Sequence, residues 1–254
     1  MLNLSESMSR FSGHRYHVYN DWAKQTYGGR LQKVSIDAGF TCPNRDGSLG
    51  VGGCSFCNNE GFSPSYLREQ PEIHTRPDCL SDETLDYLAE LAARTLVELE
   101  IGIESCNDSV LQQCLRGHSF ACTQEAIGRA AKRGLFITGH LLLGLPHETR
   151  ESLIVGARAL SYLPLDALKF HQLQIVRGTR LANQYRADPS SIDMLEVLPP
   201  HIKIQRLGSE VPPDVLVSPD WGMRLHKFPA MLEARLQTRE TWQGRLFTAP
   251  IQSN

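Results

Sequence analysis

Between residues 96 and 105 the chain reads LVELEIGIES, a regular alternation. In an extended chain Val97, Leu99, Ile101 and Ile103 fall on one side, and Glu98, Glu100, Gly102 and Glu104 on the other. Such a strand offers one face to a hydrophobic layer, while its acids need a polar interior or solvent. Further apolar or alternating runs at 31–37, 135–146, 165–176 and 201–207 predict more strands. Between them lie helical patterns at 81–95, 121–134 and 147–162. The first opens on a cap-like Ser81 with Glu83 and Thr84, the second stops at Gly134, and the third follows Pro146. Strand and helix alternate, which predicts parallel βα units closing into a barrel or a doubly wound sheet. In such folds reacting groups gather at the carboxyl ends of the strands.

Two joints are short for this pattern. Cys57 and Thr75 are 18 steps apart (75 − 57), and Tyr185 and His201 are 16 apart (201 − 185), whereas a βα unit with its return strand takes roughly 30 residues. The expectation is that residues of a full βα unit are absent near 67–73 and 187–197. Residues 209–247 read as a loop and one terminal helix. The chain therefore divides into 1–208, a barrel with an N-terminal extension, and 209–254, a closing loop and helix within the same unit.

Composition adds limits. With 254 residues, 41% hydrophobic and 21% charged, one domain with a full core is expected. No run reaches the roughly 20 apolar residues of a bilayer span, and the first 17 residues are too polar for a signal peptide. A cytoplasmic protein with no membrane partner is expected. The net charge of −2 gives no overall footprint for a polyanion. A basic lean in the first 45 residues (Arg10, Arg15, Lys24, Arg30, Lys33 and Arg45 against Glu6, Asp21 and Asp37) reads most simply as solvated surface. Seven cysteines, an odd number, argue against a disulfide framework and for metal or redox chemistry.

Three of them, Cys42, Cys54 and Cys57, lie in a glycine-rich stretch at C-x11-C-x2-C spacing. The paired spacing alone is open among zinc, dithiol redox and iron-sulfur uses. Structural zinc wants four protein ligands, and a fourth such as His74 has no motif spacing. Three thiolates on a [4Fe-4S] cluster leave one iron open to another ligand. Gly47, Gly50, Gly52 and Gly53 allow the backbone to fold closely round a bulky group, and Phe56 would shield one side. Incidental thiols on an exposed loop are the plain alternative.

The block GFTCPNRDGSLGVGGCSFC (39–57) resembles the cluster loop of radical S-adenosylmethionine (SAM) enzymes. Within them it resembles the YhcC-like family, relatives of the catalytic subunit of Elongator and of oxygen-independent coproporphyrinogen oxidase. TRPDCL (75–80), ELEIGIESCNDSVLQQCLRGHSF (98–120), GHLLLGLPHET (139–149), LKFHQLQIVRGT (168–179) and WQGRLF (242–247) fall in that family's order, so the resemblance covers most of residues 13–247. It implies an α/β fold, a partial (β/α)6 TIM-like barrel. A [4Fe-4S] cluster on Cys42, Cys54 and Cys57 would bind SAM at its open iron and cleave it to a 5′-deoxyadenosyl radical. An electron donor such as flavodoxin or ferredoxin is implied as partner. For SAM, the resemblance places Phe56 against adenine, Glu104 on the ribose, Arg116 on the carboxylate and His140 where some relatives carry a ribose-binding acid. The strand that binds the SAM amino group in the family falls in the first short joint, so no residue is named for that role.

Lys169 and His171 alternate with Phe170 and Gln172, and are candidate catalytic or substrate-anchoring groups. The plainer reading is hydrogen-bonded lining of a polar interior. Cys79, Cys106, Cys114 and Cys122 match no ligand spacing and read as small buried hydrophobes. Tyr16, Tyr19, Trp22 and Tyr27 offer stacking surfaces for unpaired bases or, more commonly, a cap over a barrel end. By likeness to the Elongator relatives the expected activity is tRNA modification at the wobble uridine. A radical SAM enzyme of small metabolites and a non-catalytic zinc module are the alternatives.

Overall fold

A computed structural model describes residues 4–29, 31, 42–57, 74–176, 179, 194–208, 210, 216–218 and 225–248. Its centre is a parallel sheet of five strands: β1 (His74–Thr75), β2 (Glu98–Glu104), β3 (Phe136–Leu143), β4 (Ala167–Gln172) and β6 (Lys203–Arg206), hydrogen-bonded in that order. β5 (Ile175–Val176) and β7 (Leu216–Ser218) form a separate antiparallel pair. The helices are α1 (Leu4–Arg10), α2 (Tyr19–Tyr27), α3 (Asp82–Ala92), α4 (Asp108–Gln113), α5 (Phe120–Lys132), α6 (Arg150–Leu160) and α7 (Phe228–Thr238). The parallel order with intervening helices is the expected partial barrel. The strand expected at 31–37 and most of both short joints lie outside the described residues.

The alternation in β2 decides which side of the sheet is oily. Leu99, Ile101 and Ile103 are fully buried beside Ile137, Leu141 and Leu168 of the next strands. They join one hydrophobic cluster with Leu85 and Leu88 of α3, Ala126, Ile127 and Ala130 of α5, and Leu153 and Leu160 of α6. Each such side chain contributes about 1.5–3 kcal/mol of burial, so this layer holds the sheet to its helices. The opposite face carries the acids of β2 into a polar interior.

Caps set the helix starts. Ser81 Oγ accepts from Thr84 N at 3.1 Å, and Ser119 Oγ accepts from Cys122 N at 3.3 Å. The helix expected from 147 starts later, because Thr149 and Ser152 form a capping box and residues 144–148 make the turn leaving β3. The run 165–176 is likewise two strands: β4 stays in the main sheet and β5 leaves it.

α2 was not legible in the sequence as a helix, yet it closes the amino-terminal end of the sheet. Trp22 stacks on Phe136 at 5.1 Å between ring centroids, with Lys203 Nζ 4.9 Å from the Trp22 ring. Tyr19 reaches Glu98. These aromatics are a cap, the commoner of the two expected uses. Just ahead of α2, Val18 bridges Ile204 in parallel. At the other terminus Leu232 and Leu236 of α7 enter the core. Gln243, fully buried, donates to Pro199 O and Ile202 O, both at 2.8 Å, and accepts from His17 N at 2.9 Å.

Candidate active site

The cysteine loop sits at the carboxyl end of the sheet, pinned to the segment that follows β2. Ser55 N donates to Cys114 O at 2.9 Å. Asn44 Nδ2 donates to Leu115 O at 2.6 Å and Arg116 O at 2.8 Å, and lies 3.5 Å from Cys54 Sγ. Gly53 N to Asn44 O at 2.8 Å and Cys57 N to Cys54 O at 3.0 Å fold the loop on itself. Cys54 is buried, and Cys42 and Cys57 are half-buried. Burial and then the neighbouring Cys54 push the Cys57 thiol up, with Cys42 adding to them against Arg45 and Arg116.

Two arginines turn toward these sulfurs. Arg76, just after β1, places Nη1 3.8 Å from Cys42 Sγ, while Asp78 takes its Nε at 2.9 Å and Nη2 at 2.7 Å. Arg116 places Nη1 3.8 Å from Cys54 Sγ and donates from Nη2 to Gly102 O at 2.9 Å. Both residues are 7% exposed, so neither charge is relaxed into bulk water. Gly117, at φ +84°, makes room for them: a Cβ there would stand 2.5 Å from Asn44 Oδ1 and 3.3 Å from Arg76 Nη2.

Glu104 lies at the end of β2 with φ +65°, a region non-glycine residues enter rarely and which clusters at functional sites. A shift in the β2–β3 register falls between Gly102 and Glu104, and it turns the Glu104 carboxylate to within 3.3 Å of Arg116 Nη2. Arg116 Nε also donates to His118 Nε2 at 3.0 Å. Burial, then the Arg116 charge, holds the His118 ring down to about 4, so it stays neutral and keeps the lone pair that accepts this bond. Phe56 packs with Leu142 and Leu173 against Val110, Cys114 and Leu145, an apolar wall beside the polar group.

Deeper in the sheet, Glu100 is 1% exposed. It is ion-paired to Lys169 and lies 2.8 Å from His140 Nε2. His140 stacks on His171 with ring centroids 5.4 Å apart. The layer beneath is held by Glu98, which accepts from Thr138 Oγ1 at 2.5 Å, Gln205 Nε2 at 2.6 Å and Tyr19 O–H at 2.9 Å.

The structure thus brings Cys42, Cys54, Cys57, Glu104 and Arg116 to one end of the sheet, with Phe56 on its flank. His140 lies in the Glu100 layer with Lys169 and His171. Its register partner is Gly102, not Glu104. The sequence reading did not single out Arg76, Asp78, Asn44 or Glu100 as site residues. Their signals were the blocks GFTCPNRDGSLGVGGCSFC for Asn44 and TRPDCL for Arg76 and Asp78, both quoted for resemblance, and an acid on the polar side of β2 for Glu100.

Three thiols, two of them beside the guanidinium groups of Arg76 and Arg116, fit a [4Fe-4S] cluster, which takes each thiolate on a different iron. All seven cysteines are free thiols. Burial holds Cys106 far above its ordinary range and Cys114 at about 11, as befits packing residues.

Comparison with known proteins gives a consistent picture. The Radical SAM superfamily model matches residues 66–155 and the Radical_SAM C-terminal domain model residues 165–238. The cysteine loop precedes both matches. Protein YtqA of Bacillus subtilis is 27% identical over 299 positions, covering 92% of this chain and 93% of that protein. This alignment is 45 positions longer than the chain (299 − 254), so stretches of the relative have no counterpart here. Protein YhcC of Escherichia coli is 27% identical, covering 77% of this chain and 84% of that one. A tRNA uridine(34) acetyltransferase of Methanocaldococcus infernus is 24% identical over 57% of this chain and 29% of its own length. Among solved structures, the Methanocaldococcus infernus Elp3 matches at TM-score 0.58 and 18% identity, covering 68% of this chain and 44% of that one, a likeness of fold.

Proposed function

The chain is a radical SAM enzyme, a family that works with a [4Fe-4S] cluster and SAM, and from that premise we propose that Cys42, Cys54 and Cys57 are the cluster's ligands. The observation that carries this reading is the convergence of Asn44, Arg76 and Arg116 on the sulfurs of Cys42 and Cys54. When bound, the cluster and SAM supply one-electron cleavage of the sulfonium bond and a hydrogen-abstracting radical. The chain supplies the setting. Arg116 offers a planar two-pronged donor suited to the SAM carboxylate, Glu104 an acceptor for ribose hydroxyls, and Phe56 with its apolar neighbours a surface for adenine.

Lys169 and His171, with His140, are the groups we assign to the substrate. Glu100, the partner of Lys169 and His140, is buried, so the charge of Lys169 is balanced within the protein and not by water.

The substrate we assign is tRNA, at the wobble uridine. What supports it is the likeness to the tRNA uridine(34) acetyltransferase of Methanocaldococcus infernus, over about a quarter to a third of that protein. A second reading, a small metabolite, is favoured by the net charge of −2, since a polyanion is usually met by a basic surface. Enzymes of this family need a reductant; we assign the role to a flavodoxin or ferredoxin. Among the described residues no helix is long and apolar enough to cross a membrane.

The test is anaerobic purification followed by iron and sulfide assay, then reduction with dithionite in the presence of SAM. About four irons per chain, lost when the three cysteines become alanine, and release of 5′-deoxyadenosine are expected. One tight zinc and no iron would overturn the reading. Modified nucleosides of tRNA from deletion and parent strains decide the substrate; identical profiles would favour the small metabolite.

A further inference from the structure

We propose that Arg76 is a positioning residue for the redox chemistry: its guanidinium, oriented by Asp78, raises the reduction potential of the cluster that Cys42 ligates. This rests on the reading that Cys42 is a cluster ligand. Reduction adds one electron, taken from the reductant, and makes the cluster more negative by one charge. A fixed positive charge beside a ligating sulfur stabilises that reduced state more than the oxidised one. Hydrogen bonds and charge near the sulfurs are established levers on such potentials.

The arrangement has a direction. Asp78 occupies Nε and Nη2 of Arg76, which leaves Nη1 as the end presented to Cys42 Sγ at 3.8 Å. The carboxylate therefore lies on the far side of the guanidinium from the sulfur. With Arg76 7% exposed, water screens this field weakly. An arginine guanidinium is not deprotonated in proteins, so it is a constant charge. Arg116 makes the equivalent contact to Cys54, but it is also tied to Glu104 and Gly102. Among the described residues the Arg76 side chain makes no such second contact, and nothing else in the proposed chemistry employs it.

The experiment is a potentiometric titration of the reconstituted protein, monitored by electron paramagnetic resonance, for the parent, Arg76→Gln and Arg76→Lys. Iron content is measured on the same samples. The glutamine variant is expected to hold about four irons yet show at least a tenfold smaller reduced fraction at fixed poise, a downward shift of roughly 59 mV for one electron. The lysine variant, which keeps the charge, is expected to recover most of the shift. A glutamine variant with full iron and the parent potential overturns the proposal. If glutamine prevents loading, Asp78→Asn carries the measurement: it keeps the arginine and removes the carboxylate that offsets its charge, so a raised potential there supports the proposal, while a parent or lowered one overturns it. A parent protein without any cluster signal would instead refute the underlying assignment of Cys42.

Discussion

Arg116 and Glu104 meet 3.3 Å apart over Gly102. A Cβ at position 102 would stand 2.6 Å from Arg116 Nη2 and 2.8 Å from Glu104 Oε1. The absent side chain is what lets the two charges occupy the mouth of the sheet. Gly102→Ala is therefore expected to displace both. Charge-assisted hydrogen bonds contribute about 1.5–3 kcal/mol, so SAM affinity should fall at least tenfold, by roughly 1.4 kcal/mol or more. Anaerobic equilibrium dialysis with SAM measures this, and iron content should stay at the parent level.

Lys169 and Glu100 make a buried ion pair. Removing one partner leaves an uncompensated charge, at a typical cost of about 3–5 kcal/mol. Lys169→Met alone is expected to lower the urea unfolding free energy by that order. The double variant Lys169→Met with Glu100→Gln should lose clearly less than the two single losses together. Equal additive losses would show that the pair is not coupled.

Glu148 brings a pH dependence. Burial raises its carboxyl to about 6, against hydrogen bonds from Ser105 and the Gly144 and Leu145 backbone. The folded state then holds its proton more tightly than the unfolded chain, whose ordinary value is 4.5. The contribution is full below the unfolded value and is lost as pH rises from about 4.5 to about 6. Glu148→Gln should flatten this part of the stability profile, by on the order of 1–2 kcal/mol across the window. Thermal unfolding at several pH values measures it.

Trp22 is the keystone of the amino-terminal cap through its stacking on Phe136 and its contact with Lys203. Trp22→Ala should cost about 2–3 kcal/mol, less than the 3–5 typical of a fully buried site, because Trp22 is only half-buried. Cluster content should not change, since the cap and the cysteine loop lie at opposite ends of the strands. Chemical unfolding paired with an iron assay tests both halves.

The sequence disclosed those parts of the fold whose pattern repeats within one element. Glu98 to Glu104 alternate, and the burial of Leu99, Ile101 and Ile103 follows. Ser81 begins a helix with a side-chain cap visible in the sequence, whereas the Thr149 cap lay hidden inside the run read from 147. α2 offered no such mark: Val18 precedes it without a side-chain cap. α4 is too short to show a period. The three cysteines were visible through their spacing, and Glu104 and Arg116 through resemblance. The layer holding His140 was hidden, because the offset between β2 and β3, which pairs Gly102 with His140, is a relation between strands. Arg76 escaped for a similar reason. Its partner Asp78 is two residues away, but its reach to Cys42 spans 34 positions of chain.

The floor formed by α2 governs traffic. Tyr19 bonded to Glu98 and Trp22 set on Phe136 cover the amino-terminal ends of β2 and β3, away from the cysteine loop. Under the assignments made above, cofactor and substrate share the upper doorway, the cofactor settling among Arg116, Glu104 and Phe56 at its rim. A bulky substrate need only insert the group to be altered, and the spent nucleoside has to leave by the route along which its replacement arrives.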